Sequence, residues 1–113
     1  MAYKNQDFEV WQGDDFKLNY NVDGVQAAED LTAAKWAISR SRSGAAMLTK
    51  DSNITGEIAI DTVSNIVSVI LFSADTLNLK EQKYYCELEV FDSENLRTTI
   101  AIGTMDLQPT ILK

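Results

Sequence analysis

The 113-residue sequence contains no histidine, one cysteine (Cys86) and one proline (Pro109). The lack of histidine excludes Ser-His-Asp and Cys-His nucleophilic sites, and every metal site that needs an imidazole ligand. A single thiol forms no intrachain disulfide and supplies too few ligands for a structural zinc site. An unpaired cysteine is typical of a protein that folds in a reducing cytosol.

Glycine-rich loops and long apolar runs are also missing. The five glycines are isolated from one another, so none belongs to a loop that cradles phosphate. The longest apolar run, residues 69–72, is far too short to cross a bilayer. Residues 1–7 lack the apolar segment of a signal peptide, so we expect a soluble protein made in the cytoplasm.

The residues that are present suffice for one hydrophobic core. Of the chain, 45% is hydrophobic and 24% is charged, as in ordinary globular domains. This length predicts a single domain that fills residues 1–113. The formal net charge of -7 repels phosphate backbones and anionic lipids, so neither a nucleic acid nor a membrane is an expected partner.

Alternation of apolar and polar residues predicts an all-β chain. Residues 16–22 place Phe16, Leu18 and Tyr20 on one face, which is the pattern of a half-buried strand. We predict one helical turn over residues 73–77, with Ser73 as its N-cap. The turn pairs are Gly13-Asp14, Asp23-Gly24 and Ser43-Gly44, with loops at residues 61–65 and 92–95. The other predicted strands cover residues 8–11, 35–42, 46–50, 58–60, 66–72, 84–91 and 96–107.

Residues 25–37 allow two interpretations. Ala27, Ala28 and Glu29 are good helix formers, so a helix remains an alternative here. We favour a loop through residues 30–32, followed by a strand from Lys35 to Arg42.

Two local patterns indicate the type of sandwich. Trp36 lies on the third long strand, and Tyr84 precedes Cys86 by two residues, as in a tyrosine corner. The usual inter-sheet disulfide is missing, because Leu18 or Tyr20 stands where its second cysteine would lie. We therefore predict an immunoglobulin-like two-sheet antiparallel β-sandwich of about seven to nine strands; another small β-barrel or sandwich is the alternative. The predicted core consists of Leu18, Tyr20, Trp36, Ile38, Val69, Leu71, Tyr84, Cys86 and Leu88.

Candidate chemistry is sparse, so we predict no catalysis, no cofactor and no metal. Glu87 and Glu89 alternate on one strand, which favours a solvated face over a hydrolase pair. A calcium site formed by Asp14-Asp15 with Asp92 and Glu94 is conceivable, although turn-stabilising Asp is the simpler interpretation.

Binding surfaces are better represented. Arg40 and Arg42, with Lys35 and Lys50, form one basic concentration, either as a solvated strand edge or as a contact with an acidic subunit. Candidate contact residues are Arg40, Arg42, Asp92, Glu94 and Asn95. A carbohydrate-binding module would instead need exposed aromatic rings, for which Tyr3, Trp11 and Tyr85 are candidates.

A series of short motifs runs along nearly the whole chain in a familiar order. It comprises Gly13-Asp14-x-Phe16, Asp30-Leu31-Thr32, Trp36, residues 73–77, Tyr84 before a Glu-Leu-Glu-Val strand, Asp92, Thr98-Thr99 and Gly103. This order resembles small immunoglobulin-like domains of tailed bacteriophages, which occur in baseplate-upper-protein N-termini and in related tail or neck proteins. One departure is Lys80-Glu81-Gln82-Lys83, where the family often has a glycine before the tyrosine.

The resemblance implies a virion structural protein that docks one part of the tail, baseplate or neck onto another. Its expected partners are other phage structural proteins, with self-association into a ring as a further option. Because the chain ends at Lys113 without a fibre-forming region, we expect a free-standing structural protein. A host-recognition or carbohydrate-binding module on the virion surface is the alternative.

Overall fold

A computed structural model describes residues 4–22 and 30–110 of the chain. These residues form nine strands and one helix of a single turn. The elements are β1 (Lys4–Asn5), β2 (Phe8–Trp11), β3 (Phe16–Asn21), β4 (Leu31–Ser39), β5 (Leu48–Asp51), β6 (Ile58–Asp61), β7 (Ile66–Leu71), α1 (Ser73–Thr76), β8 (Lys83–Asp92) and β9 (Arg97–Gln108).

The strands form two sheets. The larger sheet has the order β1-β9-β8-β4-β5, with β2 also paired to β9, and the smaller sheet has the order β3-β7-β6. All pairs are antiparallel except those that β1 and β2 make with β9. With β3 as strand B and β9 as strand G, the sheets are B-E-D and G-F-C with an added C′, which is the immunoglobulin order. The predicted immunoglobulin-like β-sandwich is thus confirmed.

The core lies between the two sheets and is made by the inward residues of each alternating strand. On β7, Val67, Val69 and Leu71 are fully buried, and on β4 and β8 every second residue is buried in the same way. All nine predicted core residues are buried, which confirms the period-two interpretation.

Tyr20 takes the position that the missing disulfide partner would occupy. Its hydroxyl accepts a hydrogen bond from Trp36 Nε1 at 3.1 Å and also lies against the Cys86 thiol. Burial raises the pKa of Cys86 to about 12 and raises the pKa of Tyr20 above its usual range. Because Tyr20 lies on β3 and its partners on β4 and β8, a hydrogen-bonded group links the two sheets where a disulfide usually does.

The tyrosine corner predicted from Tyr84 is also present. The Tyr84 hydroxyl donates a hydrogen bond of 2.6 Å to the Lys80 carbonyl, four residues upstream. The Tyr84 ring is buried at the start of β8, so this bond fixes the segment between α1 and β8 against the core.

The fourth strand differs from its predicted bounds at both ends. It begins at Leu31, where a loop was expected, because residues 31–34 pair with the end of β8 across a β-bulge and bury Ala34. It ends at Ser39, because a turn follows. The Ser39 hydroxyl and the Gly44 backbone N–H both donate hydrogen bonds to the Ser41 carbonyl in this turn. Arg40 and Arg42 therefore lie in a loop and not on the strand. Residues 23–29, which include the predicted turn Asp23-Gly24, lie outside the described residues.

The helical turn after β7 is confirmed, but its N-cap is Phe72 and not Ser73. The Asp75 carboxylate accepts the Phe72 backbone N–H at 2.7 Å, so the cap lies one residue earlier than predicted. The same carboxylate lies 2.6 Å from Lys50 Nζ, which ties α1 to the edge strand β5.

Candidate functional site

The outer face of the larger sheet contains a concave surface. Two open depressions, of about 240 Å³ and about 330 Å³, lie side by side on it and meet at Ala37 and Glu87. Together they form what we call the outer-face groove. Its lining side chains come from β4, β5, β8 and β9 and from the loop that follows β4, so residues distant in sequence form one surface.

Small residues line the first depression. Ala37 on β4 and Gly103 on β9 border it, together with Gly44 and Ala46 of the loop after β4. At its rim, the Arg42 guanidinium lies over the Tyr85 ring, with 5.3 Å from its carbon to the ring centroid. Such a pair combines a cation–π contact with a flat, partly exposed surface.

The second depression lies towards β5. Lys35 and Glu89 line it, together with Thr49. Lys35 Nζ lies 5.6 Å from the centroid of the Phe91 ring, and Glu89 Oε2 lies 3.9 Å from Arg97 Nε. Lys50 and Asp51 line this depression as well, so the groove carries charges of both signs. Its three cations, Lys35, Arg42 and Lys50, each lie over an aromatic ring.

Glu87 stands at the junction of the two depressions. Its cross-strand neighbours are Ala37 on β4 and Ile102 on β9. Its carboxylate accepts a long hydrogen bond, 3.4 Å, from the Thr99 hydroxyl, and among the described residues it has no ion-pair partner. Glu87 and Glu89 thus face outward, as predicted, and the Glu87 side chain is exposed.

The structure separates the predicted contact residues. Arg42 lines the groove, and Arg40 is exposed in the same loop without lining it. Asp92, Glu94 and Asn95 lie at the other end of β8, in the hairpin to β9. The candidate residues therefore lie in two separate parts of the surface.

The hairpin at residues 92–96 is held by hydrogen bonds between the Asp92 side chain and the backbone. The Asp92 carboxylate accepts the N–H groups of Glu94 and Leu96, each at 2.9 Å. Asn95 adopts a left-handed conformation with φ of 62°, which asparagine tolerates well. Asp92 therefore acts as a turn-stabilising residue, while Glu94 and Asn95 remain exposed.

The predicted concentration of basic residues does not form. Lys50 is buried, with 3% of its side chain exposed, and pairs with Asp75. Lys35 lies on the outer face, and Arg40 and Arg42 lie in the loop beyond β4. The expectation fails because alternation on β5 turns Lys50 towards the interior.

The calcium site considered for the end loops is wrong. Asp14 and Asp15 follow β2, where Asp15 accepts the Ser73 N–H at 2.8 Å, whereas Asp92 and Glu94 lie at the opposite end of the sandwich. Within residues 4–22 and 30–110, no group of three or more Asp, Glu, Cys or His side chains is placed to hold a metal ion. Nor is any helix of the described segments long and apolar enough to cross a membrane.

The candidate aromatic rings do not share one platform. Trp11 is 50% exposed and Tyr85 is 39% exposed. On β9 their partners are Gln108 and Thr104, so the two residues lie two strands apart and about 13 Å apart along the sheet. Tyr3 lies outside the described residues.

Comparisons with known proteins add little to these observations. No protein-family model and no curated protein matches the chain. Among solved structures, the chain is similar to the PKD domain of the KIAA 1837 protein, determined in solution, with 10% identity and a TM-score of 0.42. That alignment covers 100% of this chain and 88% of the PKD domain. The fold is established by the strand order and the tyrosine corner, and not by this similarity.

Proposed function

We propose that this chain is a non-catalytic structural protein of a tailed-phage virion, which joins other structural proteins of the tail, baseplate or neck. The order of motifs along the chain supports the phage setting. The adaptor role is supported by one observation above all, the Arg42–Tyr85 pair at the rim of the outer-face groove. Arginine and tyrosine are enriched at the centres of protein interfaces.

The shape of the groove also favours a protein partner over a small molecule. Pockets for small ligands bury most of the ligand, whereas both depressions here are open to solvent. A rigid sheet face with protruding Arg42 and Tyr85 suits a neighbouring protein surface. The virion is the location that this role implies.

The decisive experiment removes the gene from the phage and examines the particles by electron microscopy. We expect particles that lack part of the tail, baseplate or neck and have lost infectivity. Antibodies against the protein should label that same part of the wild-type virion. Intact, infectious particles from the deletion mutant would overturn the proposal.

Complementation of this mutant with variants tests the groove itself. Arg42→Ala and Tyr85→Ala should each lower incorporation of the protein into particles at least several-fold. Lys17→Ala is the matched control, because Lys17 is exposed on β3 of the smaller sheet, away from the groove. Equal incorporation of all three variants would exclude the groove as the docking surface.

One observation favours the alternative of host recognition, namely the half-exposed ring of Trp11. A carbohydrate-binding site uses such rings as stacking surfaces. Trp11→Ala would then lower adsorption of phage to cells while particles assemble normally. Normal adsorption of that variant would remove this alternative.

A further inference from the structure

Glu87 is the groove carboxylate that the described residues satisfy least, and it identifies the partner's chemistry. Asp51, which also lines the groove without an ion pair, accepts the Asn53 backbone N–H at 2.9 Å. The cations Arg42 and Lys35 each lie over an aromatic ring, and Glu89 faces Arg97. Within the described residues Glu87 has only the Thr99 hydroxyl, at 3.4 Å. A carboxylate in this position can accept a charge-assisted bond from outside the molecule at little cost.

The space around Glu87 suits a long side chain. Ala37, its neighbour on β4, carries a single methyl group, so both depressions open beside the carboxylate. On the other side, Ile102 offers an apolar surface. Lysine and arginine have aliphatic stems that pack on such surfaces while the charged head reaches a polar partner.

We infer that the groove receives a lysine or arginine side chain from a neighbouring virion protein, with its stem on Ala37 and Ile102 and its head on Glu87. This inference rests on the proposed adaptor function and names the chemistry of its partner. The net charge of -7 favours a basic partner, because opposite charges raise the rate and specificity of docking. A second copy of the chain would bring the same net charge to the interface.

The first experiment measures binding of the labelled protein to particles from the deletion mutant. Glu87→Lys should weaken binding at least tenfold, whereas Asp14→Lys, the same charge change at the exposed turn after β2, should stay within about twofold of wild type. Circular dichroism and thermal unfolding serve to check that both variants are folded. Carbodiimide coupling, which joins only carboxylates and amines in contact, should link Glu87 to a lysine of another virion protein where the basic residue is lysine.

Two results would overturn the inference. One is equal binding of Glu87→Lys and wild type to the particles. The other is a coupled product in which Glu87 is joined to a lysine of a second copy, which would make the groove a contact between identical subunits.

A second experiment separates this inference from the virion assignment. In a titration with acetylated trilysine amide at low salt, followed by NMR, the largest amide shifts should fall at Ala37, Glu87 and Ile102. If these shifts occur but the wild-type protein does not bind particles, the virion proposal fails, while the binding of a basic side chain at Glu87 stands. Shifts spread evenly over the acidic surface, as large at Asp14 or Glu94 as at Glu87, would defeat the groove inference.

Discussion

At the scale of single residues, the Tyr20 hydroxyl makes the most informative contact. It accepts the Trp36 N–H between the sheets, so Tyr20→Phe leaves that donor buried without a partner. An unsatisfied buried donor costs about 1–3 kcal/mol. We expect Tyr20→Phe to lower the free energy of unfolding by that amount, measured by urea denaturation.

The control for this variant is Tyr85→Phe. Tyr85 is partly exposed on the outer face, so loss of its hydroxyl should leave the urea midpoint nearly unchanged. Similar losses of unfolding free energy in both variants would mean that the hydrogen bond between Tyr20 and Trp36 makes no specific contribution to the link between the sheets.

Cys86 predicts a dependence of stability on pH. Its thiol pKa is about 12 in the folded protein, because burial disfavours the thiolate, against about 9 when unfolded. Above pH 9 the unfolded state loses this proton and the folded state keeps it, so the free energy of unfolding falls as the pH rises from 9 towards 12. The buried Tyr20, whose pKa is raised as well, adds to the same trend.

Urea denaturation at several pH values between 8 and 10.5 tests this expectation. Cys86→Ala should lose stability less steeply over that interval than wild type, because only wild type titrates the thiol on unfolding. Parallel slopes for the two proteins would show that the Cys86 thiol ionises as readily in the folded state as in the unfolded one.

Several of these residues could be predicted from the sequence, and others could not. Trp36, Tyr84 and Cys86 follow local spacing rules, and the sequence therefore predicts their burial and the tyrosine corner. The contact of Tyr20 with Trp36 depends on how two sheets pack, which alternation along one strand does not specify.

At the scale of elements, Gly103 controls how the first strands cross the sheet edge. β1 and β2 both pair with β9, and the chain between them passes over Gly103, where a Cβ would overlap the Gln6 carbonyl. Gly103 therefore permits a close approach of two backbones. The Gln6 N–H bonds the Ile102 carbonyl at 2.9 Å, so the backbone has little room to withdraw.

Gly103→Ala should therefore displace β1 from β9. Overpacking of this kind costs about 1–3 kcal/mol, and we expect the upper part of that range because the obstacle is backbone. Hydrogen exchange should show lost protection of the Gln6 and Thr104 amides, with the pairing of β8 and β4 retained.

Gly44→Ala is the matched control for this change. A Cβ there meets the Ser41 hydroxyl, which can rotate away, so stability should change little. If Gly103→Ala behaves like Gly44→Ala and keeps the protection of both amides, the crossing does not require glycine.

The elements also show where sequence reasoning stops. Strand β2 has its predicted bounds, and β3 and β7 each end one residue early, since strong alternation or β-branched runs define them. Strand β4 begins four residues earlier than predicted. Ala33 and Ala34 have weak strand preference, so the sequence does not indicate this start. Pairing with β8 and the bond from the Ala34 N–H to the Ser52 hydroxyl hold these residues in the strand. The groove depends on the register that places Ala37 beside Glu87, and this long-range pairing has no local signal.

At the scale of the whole molecule, net charge is the dominant electrostatic feature. A formal charge of -7 on a chain of 113 residues repels itself in the folded state. Only two ion pairs oppose this in the described residues, Lys50–Asp75, which is buried, and Arg97–Glu89, which is largely exposed. Exposed pairs contribute little to stability.

Salt should therefore stabilise this protein. Since the Debye length shortens to about 10 Å at 0.1 M salt, repulsion between distant carboxylates is screened, while the buried Lys50–Asp75 pair is screened much less. We expect the thermal unfolding midpoint to rise between 10 mM and 300 mM sodium chloride, at constant pH 7. Glu94→Lys removes two units of net negative charge at an exposed hairpin. The unfolding midpoint of this variant should rise less over the same range of salt. A midpoint that falls with salt would mean that attractive pairs between surface charges outweigh the repulsion. The net charge of the protein would then be a weaker reason to expect a basic partner at the groove.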